Sequence, residues 1–347
     1  MKTLGHEPAL DGLRGIAVMA VVLFHTVPQA LPGGFLGVDV FFALSGYLIT
    51  RLLLNEQATR GRIDLWRFYV RRSWRLAPAL CLMLLVYITV QLARHGFEQW
   101  KTLALDTLLA LAYVTNWARA MAWHLPADLG HTWSLAVEEQ FYLLWPLLLI
   151  GVLKLSHRHG VRVVLVSAMA LASMCWRLYL QDQGVSVDRL YNGTDVRAET
   201  LLWGSLLALL RFNETAQQER RWLDPVMQWV IPILLIGLWL GAQWTEAWIY
   251  SVGITAVSGM SVLLIQGLHS GSWKILSMAL SVGWLVHLGR ISYGIYLWHF
   301  PILRWLLESP MDAWSRLAFT VALSLVVASL SFHFMEKPLL ERRDRRG

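Results

Sequence analysis

The sequence predicts an all-α integral membrane protein, a bundle of about ten transmembrane helices plus one re-entrant or interfacial helix. Hydrophobic residues make up 56% of the 347 residues and charged residues only 15%, whereas a soluble domain carries about 25% charge. The mean hydropathy is +0.48. The 19 tryptophans fit the aromatic belts of membrane interfaces. These observations predict that most of the chain lies in a lipid bilayer. They do not favour a nucleic-acid-binding protein.

Ten apolar stretches are long enough, or nearly so, to cross a hydrocarbon core of about 30 Å. Stretch 198–210 is short for a span, so we expect it to be tilted, broken or extended by polar residues that the protein buries. No repeat and no separate soluble domain interrupts the series, so residues 1–347 are predicted to form one transmembrane domain. The ten stretches are 13–27, 35–54, 76–93, 133–153, 161–180, 198–210, 226–242, 248–268, 291–307 and 317–335.

Basic residues predict the orientation, because cytoplasmic loops are enriched in lysine and arginine. Six arginines fill the loop from Arg60 to Arg75, and other basic groups lie at 154–162, at 211–221 and after Lys337. The loops 28–34, 243–247 and 308–313 hold no basic residue. Placing every basic loop inside puts both termini in the cytoplasm. This arrangement requires the weaker apolar stretch 102–117 not to cross, so 94–132 is predicted to be an excursion at the outer face.

The first helix carries two ionisable residues, Arg14 and His25. Their spacing of eleven residues returns His25 to within about 20° of the face of Arg14, about 16 Å farther along the helix. Ionisable groups inside a bilayer are costly and are by default functional. The sequence therefore predicts an anion-binding cation at the cytoplasmic end and a catalytic base deeper in. The alternatives are an arginine that snorkels to the interface and a histidine hydrogen-bonded between helices.

The second helix and the basic loop supply further candidates. Asp39 begins the second span near the outer end of the first helix, where it is predicted to orient His25, unless it only complements the helix dipole. Arg72 and Arg75 share a helical face and, with Arg14, predict a phosphate-binding cluster rather than ordinary cytoplasmic charge. Farther along the second span come two candidate cavity-lining residues, Ser45 and Tyr47, although helix packing is the simpler role for a small serine.

Two polar stripes follow on later helices. Glu138 shares a face with other polar residues of its segment, whereas Glu139 points about 100° away, so Glu138 is predicted to be the carboxylate that faces the cavity. Either Glu138 or Asp39 is expected to support the charge of His25. A second stripe combines Ser292, Tyr296 and His299, just before Pro301. Both stripes also fit buried hydrogen-bond networks. The candidate acceptor or cavity residues on the two segments are His131, Trp133, Ser134, Tyr142, Tyr296 and His299.

The sequence contains no zinc-ligand spacing, no phosphate-binding glycine loop and no GxSxG nucleophile motif. We therefore predict no metal site, no bound cofactor and no covalent nucleophile.

Five motifs occur in order along the chain: DGLRGIA at 11–17 with His25, the segment 37–47, RxxRxxP at 72–78, WSLAVEEQFY at 133–142 and YLWHFP at 296–301. Together they resemble the membrane-bound acyltransferase-3 family of bacterial O-antigen and peptidoglycan O-acetyltransferases. The resemblance covers nearly the whole chain, with Arg14 and His25 matching one family motif and Arg72 and Arg75 another.

The resemblance implies a ten-helix enzyme of the bacterial inner membrane that moves an acyl group, usually acetyl, from cytoplasmic acyl-CoA to a hydroxyl of a saccharide or lipid-linked glycan. Many relatives carry a periplasmic SGNH esterase-like domain, which we expect to be lacking here because the sequence ends at Gly347. Direct transfer and handover to a separate periplasmic acceptor protein both remain open.

Two other readings differ in function. The same membrane histidines and glutamate would serve as a proton relay in a proton-coupled transporter, although no inverted repeat is evident. An acyltransferase for a cytoplasmic small molecule would carry the same motifs.

Overall fold

The computed structural model describes residues 7–212 and 224–339, and within them every regular element is helical. The predicted all-α class is confirmed. In chain order the α-helices are α1 (Pro8–Thr26), α2 (Gly37–Arg60), α3 (Leu65–His95), α4 (Trp100–Leu111), α5 (Thr115–Ala120), α6 (Trp133–Leu155), α7 (His159–Asp182), α8 (Val187–Asn192), α9 (Thr194–Arg211), α10 (Asp224–Gly241), α11 (Ile254–His269), α12 (Lys274–Leu280), α13 (Gly283–Arg290), α14 (Ser292–Leu306) and α15 (Ala313–Ser331). Short 3-10 turns at Gly34–Leu36 and Gly130–Thr132 and π turns at Ile249–Gly253 and Phe332–Glu336 extend some of them.

Eight helices of the described residues are long and apolar enough to cross a membrane, and they coincide with eight of the ten predicted stretches. The other two predicted stretches form α9, whose first turns are charged, and α14, which has only 15 residues. The total of ten crossings and the cytoplasmic termini stay predictions. The basic residues predicted to mark the inner side at 220–221 and 342–346 lie outside the described residues.

Stretch 102–117 does not form one continuous helix. It is divided between α4, of 12 residues, and α5, of six, with Tyr113 between them in a left-handed conformation (φ 54°). Neither helix reaches the length of about 20 residues that a crossing requires. This division agrees with the predicted outer-face excursion.

Local signals define several helix ends. Pro8 opens α1, where its missing N–H costs nothing, and the carboxylates of Asp64 and Asp312 accept backbone hydrogen bonds at the starts of α3 and α15. Gly61 ends α2 in a left-handed conformation (φ 70°), which a residue without a Cβ adopts at little cost.

Helices α2 and α9 cross at backbone contact. A Cβ on Gly46 would lie 1.9 Å from the Leu201 carbonyl oxygen, and one on Gly204 would lie 2.0 Å from that of Ala43. Small residues allow helices to approach this closely inside a membrane. The crossing turns the face of Gly46 toward α9 and leaves the preceding residue, Ser45, on another face.

The α2–α9 crossing encloses an ion pair with no solvent access. Arg197 Nη2 donates to Asp39 Oδ1 at 2.8 Å, and both side chains are 0% exposed. The guanidinium is surrounded by the rings of Phe42, Trp133 and Tyr191, with centroids 5.3–5.8 Å away. Aromatic faces attract a guanidinium, so the cage compensates for the hydration that Arg197 loses.

The prediction that Asp39 orients His25 is therefore wrong. The carboxylate points across the bundle to Arg197, which provides a permanent charge at hydrogen-bond distance. A second enclosed pair lies close by on α9, where Glu199 Oε2 accepts from Arg177 Nη2 at 2.8 Å and Glu199 Oε1 from Thr255 Oγ1 at 2.5 Å.

Helix α1 is held between α2 and the α12–α14 segment. A Cβ on Gly12 would lie 1.9 Å from the Leu280 carbonyl oxygen, and one on Gly37 would lie 2.6 Å from that of Ala17. Close contacts on both sides determine the rotation of α1 about its axis, and with it the directions of Arg14 and His25.

A polar cluster joins the start of α1 to α2 and α11. Glu7 accepts hydrogen bonds from Arg51 and from His269 Nδ1, the latter at 3.0 Å. Burial by itself raises the pKa of the Glu7 carboxyl, but the hydrogen bonds from His269 and Arg51 outweigh it and bring that pKa below its ordinary value.

Replacing one partner of the enclosed α2–α9 pair should destabilise the bundle strongly. Arg197→Met leaves the Asp39 carboxylate unpaired, and we expect the free energy of unfolding in detergent to fall by about 3–5 kcal/mol. The double variant Asp39→Asn with Arg197→Met should recover most of that loss. Arg304→Met, which breaks a partly exposed pair with Asp128, should cost at most about 1 kcal/mol. If Arg197→Met were as stable as wild type, the stability of the bundle would not depend on this ion pair.

Candidate active site

A cavity of about 570 Å³ lies between α1, α2, α3, α6, α14 and the Phe332–Glu336 turn. Its wall carries both signs of charge. The basic lining residues are Arg14, Arg71, Arg72, Arg75 and Arg290, and the acidic ones are Asp11, Glu56, Glu138, Glu139 and Glu336. The lining thus includes five guanidinium groups, a type of donor that binds phosphate or carboxylate oxygens, together with five carboxylates.

The three predicted arginines meet in this cavity. Arg72 Nε donates to Glu139 Oε1 at 3.3 Å, and its guanidinium lies 3.5 Å above the centre of the Tyr142 ring. Arg14 and Arg75 form no hydrogen bond or ion pair with residues 7–212 or 224–339. Arg72 is thus held in place, while Arg14 and Arg75 present free donors to the cavity.

Ser45 and Glu138 meet on the same wall. Ser45 Oγ donates to Glu138 Oε1 at 2.6 Å, which links α2 to α6 across 93 positions of sequence. Arg72, Arg14 and Arg75 attract the Glu138 carboxylate electrostatically. The predicted cavity-facing position of Glu138 is confirmed, but the predicted support for His25 is wrong because this carboxylate bonds Ser45 and faces the arginines. The direction predicted for Glu139 is also wrong, since Glu139 lines the cavity and binds Arg72.

A hydrogen-bonded group lies where α6 and α14 approach each other. Ser134 Oγ and the Tyr296 hydroxyl are 2.5 Å apart, and that hydroxyl donates to the His131 carbonyl oxygen at 2.9 Å. Ser134 and Tyr296 line the cavity, so this part of its wall is neutral and polar. The Tyr296 ring lies 5.4 Å from that of His299, which connects the cavity to a group of histidines.

Three histidines lie together behind Tyr296. His25 Nδ1 is 3.0 Å from His299 Nε2, and the rings of His131 and His299 have centroids 5.5 Å apart. His299 is completely buried and His131 nearly so, whereas His25 is partly exposed. The structure places His131 and His299 behind the cavity wall, where we had predicted lining positions.

Pro301 explains how His131 is held. A proline has no N–H to donate to the carbonyl four residues earlier, so the Leu297 carbonyl oxygen is available. His131 Nε2 lies 3.2 Å from that oxygen and donates to it.

Residues 7–335 match the family described as an acyltransferase domain. The chain belongs to this acyltransferase family. It is 35% identical to the peptidoglycan O-acetyltransferase OatA of Listeria monocytogenes over 96% of the chain and 56% of the relative. The putative peptidoglycan O-acetyltransferase YrhL of Bacillus subtilis is 33% identical over 97% of the chain and 56% of the relative.

A putative O-acetyltransferase of Staphylococcus aureus is also 33% identical, over 97% of the chain and 58% of the relative. The chain thus spans a little over half the length of these curated relatives. No solved structure matches it.

Two residues that are predicted to line the cavity lie elsewhere. Tyr47 packs against the ring of His269 at 5.6 Å, next to the Glu7 cluster, because its position on α2 turns it away from Ser45. Trp133 forms part of the cage around Arg197 and packs on Tyr191, with ring centroids 4.5 Å apart. Both corrections follow from the rotation of α2 and α6, which the sequence alone does not determine.

Other charged residues line the cavity that the sequence does not predict. Arg71 and Arg290 line the cavity, and so does Glu336, which ends the last span. Arg290 lies two residues before the polar stripe that begins at Ser292. Its position next to this stripe could have suggested that it lines the cavity. No group of three or more His, Cys, Asp or Glu side chains with the geometry of a metal site occurs in the part of the chain that the structure describes.

Chemical labelling can test the cavity. In a protein whose exposed cysteines Cys81 and Cys175 are replaced by alanine, Ser45→Cys should react with an anionic water-soluble thiol reagent, because the arginines attract it into the cavity. A cationic reagent should react more slowly. Ser261→Cys is the matched control: Ser261 is completely buried on α11 and should not react. Equal rates at the two positions would show that the cavity is closed to solvent.

Proposed function

We propose that the chain is a membrane O-acyltransferase of the bacterial inner membrane that moves an acetyl group from cytoplasmic acyl-CoA to a hydroxyl of a cell-surface or lipid-linked saccharide. One observation carries the proposal. A cavity whose lining includes five arginines adjoins, through Tyr296, a group of histidines that includes a partly exposed imidazole.

The arginine wall suits the donor. Coenzyme A carries several phosphate charges, and guanidinium groups bind phosphate oxygens through charge-assisted hydrogen bonds. Arg14 and Arg75 present donors without competing partners in the described residues, and Arg72 is oriented by Glu139 and Tyr142. The rise of α1 separates Arg14 from His25 by about 16 Å. The extended thiol arm of the donor would cover this distance.

His25 is the proposed general base. Its imidazole takes the proton of the acceptor hydroxyl as the hydroxyl oxygen attacks the thioester carbonyl carbon, which forms the new C–O bond. The C–S bond then breaks, and the thiolate leaves with the proton returned by the imidazolium. A thioester is already activated, so one positioned base suffices.

The relatives suggest the acceptor class. Two of them are named for acetylation of peptidoglycan, a saccharide polymer. We propose an acceptor hydroxyl of this chemical kind, reached from the side of the bundle opposite the arginine wall, either directly or through a separate periplasmic acceptor protein.

Removing the proposed base should abolish turnover. His25→Ala should lower kcat for transfer of labelled acetyl from acetyl-CoA to muropeptide acceptors by about 10²–10⁴-fold, the usual contribution of a positioned base. His157→Ala, an exposed histidine between α6 and α7, is the control and should remain fully active. Turnover retained in folded His25→Ala would remove His25 from the mechanism.

Removing a phosphate ligand should weaken donor binding. Arg14→Ala should raise KM for acetyl-CoA by about 10- to 100-fold, because a hydrogen bond between charged groups contributes about 1.5–3 kcal/mol. The control Arg158→Ala, in the exposed basic loop after α6, should leave KM unchanged. The same KM in the Arg14 variant and wild type would show that this arginine does not touch the donor.

A further inference from the structure

We propose that His299 is a positioning residue that selects the tautomer of His25 and thereby makes His25 Nε2 the basic nitrogen. The effect of His299 on catalysis rests on the proposed function. The tautomer of His25 is inferred from hydrogen bonds alone.

The chain of hydrogen bonds begins at a backbone carbonyl. His299 Nδ1 lies 2.7 Å from the Tyr296 carbonyl oxygen and 3.2 Å from that of Ile295. Carbonyl oxygens only accept hydrogen bonds, so Nδ1 of His299 must carry a proton. A neutral imidazole has one N–H, and Nε2 of neutral His299 is therefore an acceptor.

A second hydrogen bond, between His299 on α14 and His25 on α1, determines which nitrogen of His25 carries the proton. His25 Nδ1 lies 3.0 Å from His299 Nε2. Because His299 Nε2 accepts, His25 Nδ1 must donate, and it holds the single N–H of the neutral ring. The lone pair of His25 is then on Nε2. The result is the arrangement of a catalytic triad, in which a third group fixes the ring through Nδ1, except that a neutral imidazole replaces the carboxylate.

Protonation of His299 at both nitrogens would prevent His25 Nε2 from acting as a base. If His299 held two protons, its Nε2–H would donate to His25 Nδ1, and the only proton of a neutral His25 would move to Nε2. The other ionisable groups that act on this pair are His131, from the turn before α6, and Arg119, on α5. His299 itself is enclosed by Tyr296, His131 and Phe300.

The role of His299 in turnover follows from this polarity. When His25 Nε2 takes the hydroxyl proton, the ring becomes an imidazolium whose Nδ1–H still donates to His299 Nε2. His299 gains and loses no proton in the step. It keeps the ring in one orientation and stabilises the charge, so its loss should affect kcat and leave donor binding at the arginine wall unchanged.

Two substitutions separate positioning from packing. His299→Gln keeps an acceptor oxygen near the place of Nε2, whereas His299→Leu keeps the volume and removes the acceptor. We expect Leu to lower kcat by about 10²–10⁴-fold with an unchanged KM for acetyl-CoA, and Gln to restore kcat to within about tenfold of wild type. His287→Gln, an exposed histidine on α13, is the matched control and should have no effect.

A spectroscopic measurement reads the tautomer without any turnover. Nitrogen NMR of ring-labelled histidine, with the His25 signals assigned by substitution, should show His25 protonated at Nδ1 in wild type and His299→Gln, and a mixture of tautomers in His299→Leu. Wild-type His25 protonated at Nε2, or a folded Gln variant as inactive as Leu, would overturn the proposal. A wild-type protein without transferase activity but with the Nδ1–H tautomer would overturn the proposed function and leave this assignment intact.

Discussion

The ion pair between Asp39 and Arg197 holds together the two helices on which the cavity depends. A guanidinium and a carboxylate without access to water are stable only when each faces the other, so the pair fixes how α2 and α9 are aligned where they cross at backbone contact. That approach sets the rotation of α2. Ser45 then faces Glu138 on the cavity wall, and Phe42 lies between the cavity and the Arg197 cage.

Arginines have different surroundings in two regions of the described bundle. Around α9, Arg177 and Arg197 are each paired with one carboxylate and have no solvent access. In the cavity, only some of the arginine donors are taken. Arg72 is held by Glu139, while Arg14 and Arg75 have no bonded partner in residues 7–212 and 224–339.

The histidines add a third feature, because they lie behind a neutral polar wall. Ser134 and Tyr296 separate the arginines from His25, His131 and His299. The arginine end suits a phosphate-bearing donor and the histidine end suits proton transfer, so the two tasks are separated along α1. Pro301 contributes from α14 by freeing the Leu297 carbonyl for His131.

The sequence by itself determined the helical class, eight of the ten apolar stretches long enough to cross a membrane, the meeting of Arg14, Arg72 and Arg75, and the position of Glu138 on the cavity lining. Those inferences depend on hydropathy and on helical periodicity, which are local properties. Only the tertiary structure decided the partners. Asp39 bonds Arg197 at 158 positions' separation, and His25 bonds His299 at 274. Such pairings depend on the rotation and depth of whole helices, which follow from close contacts such as that of Gly46 with Leu201, and no local pattern specifies them.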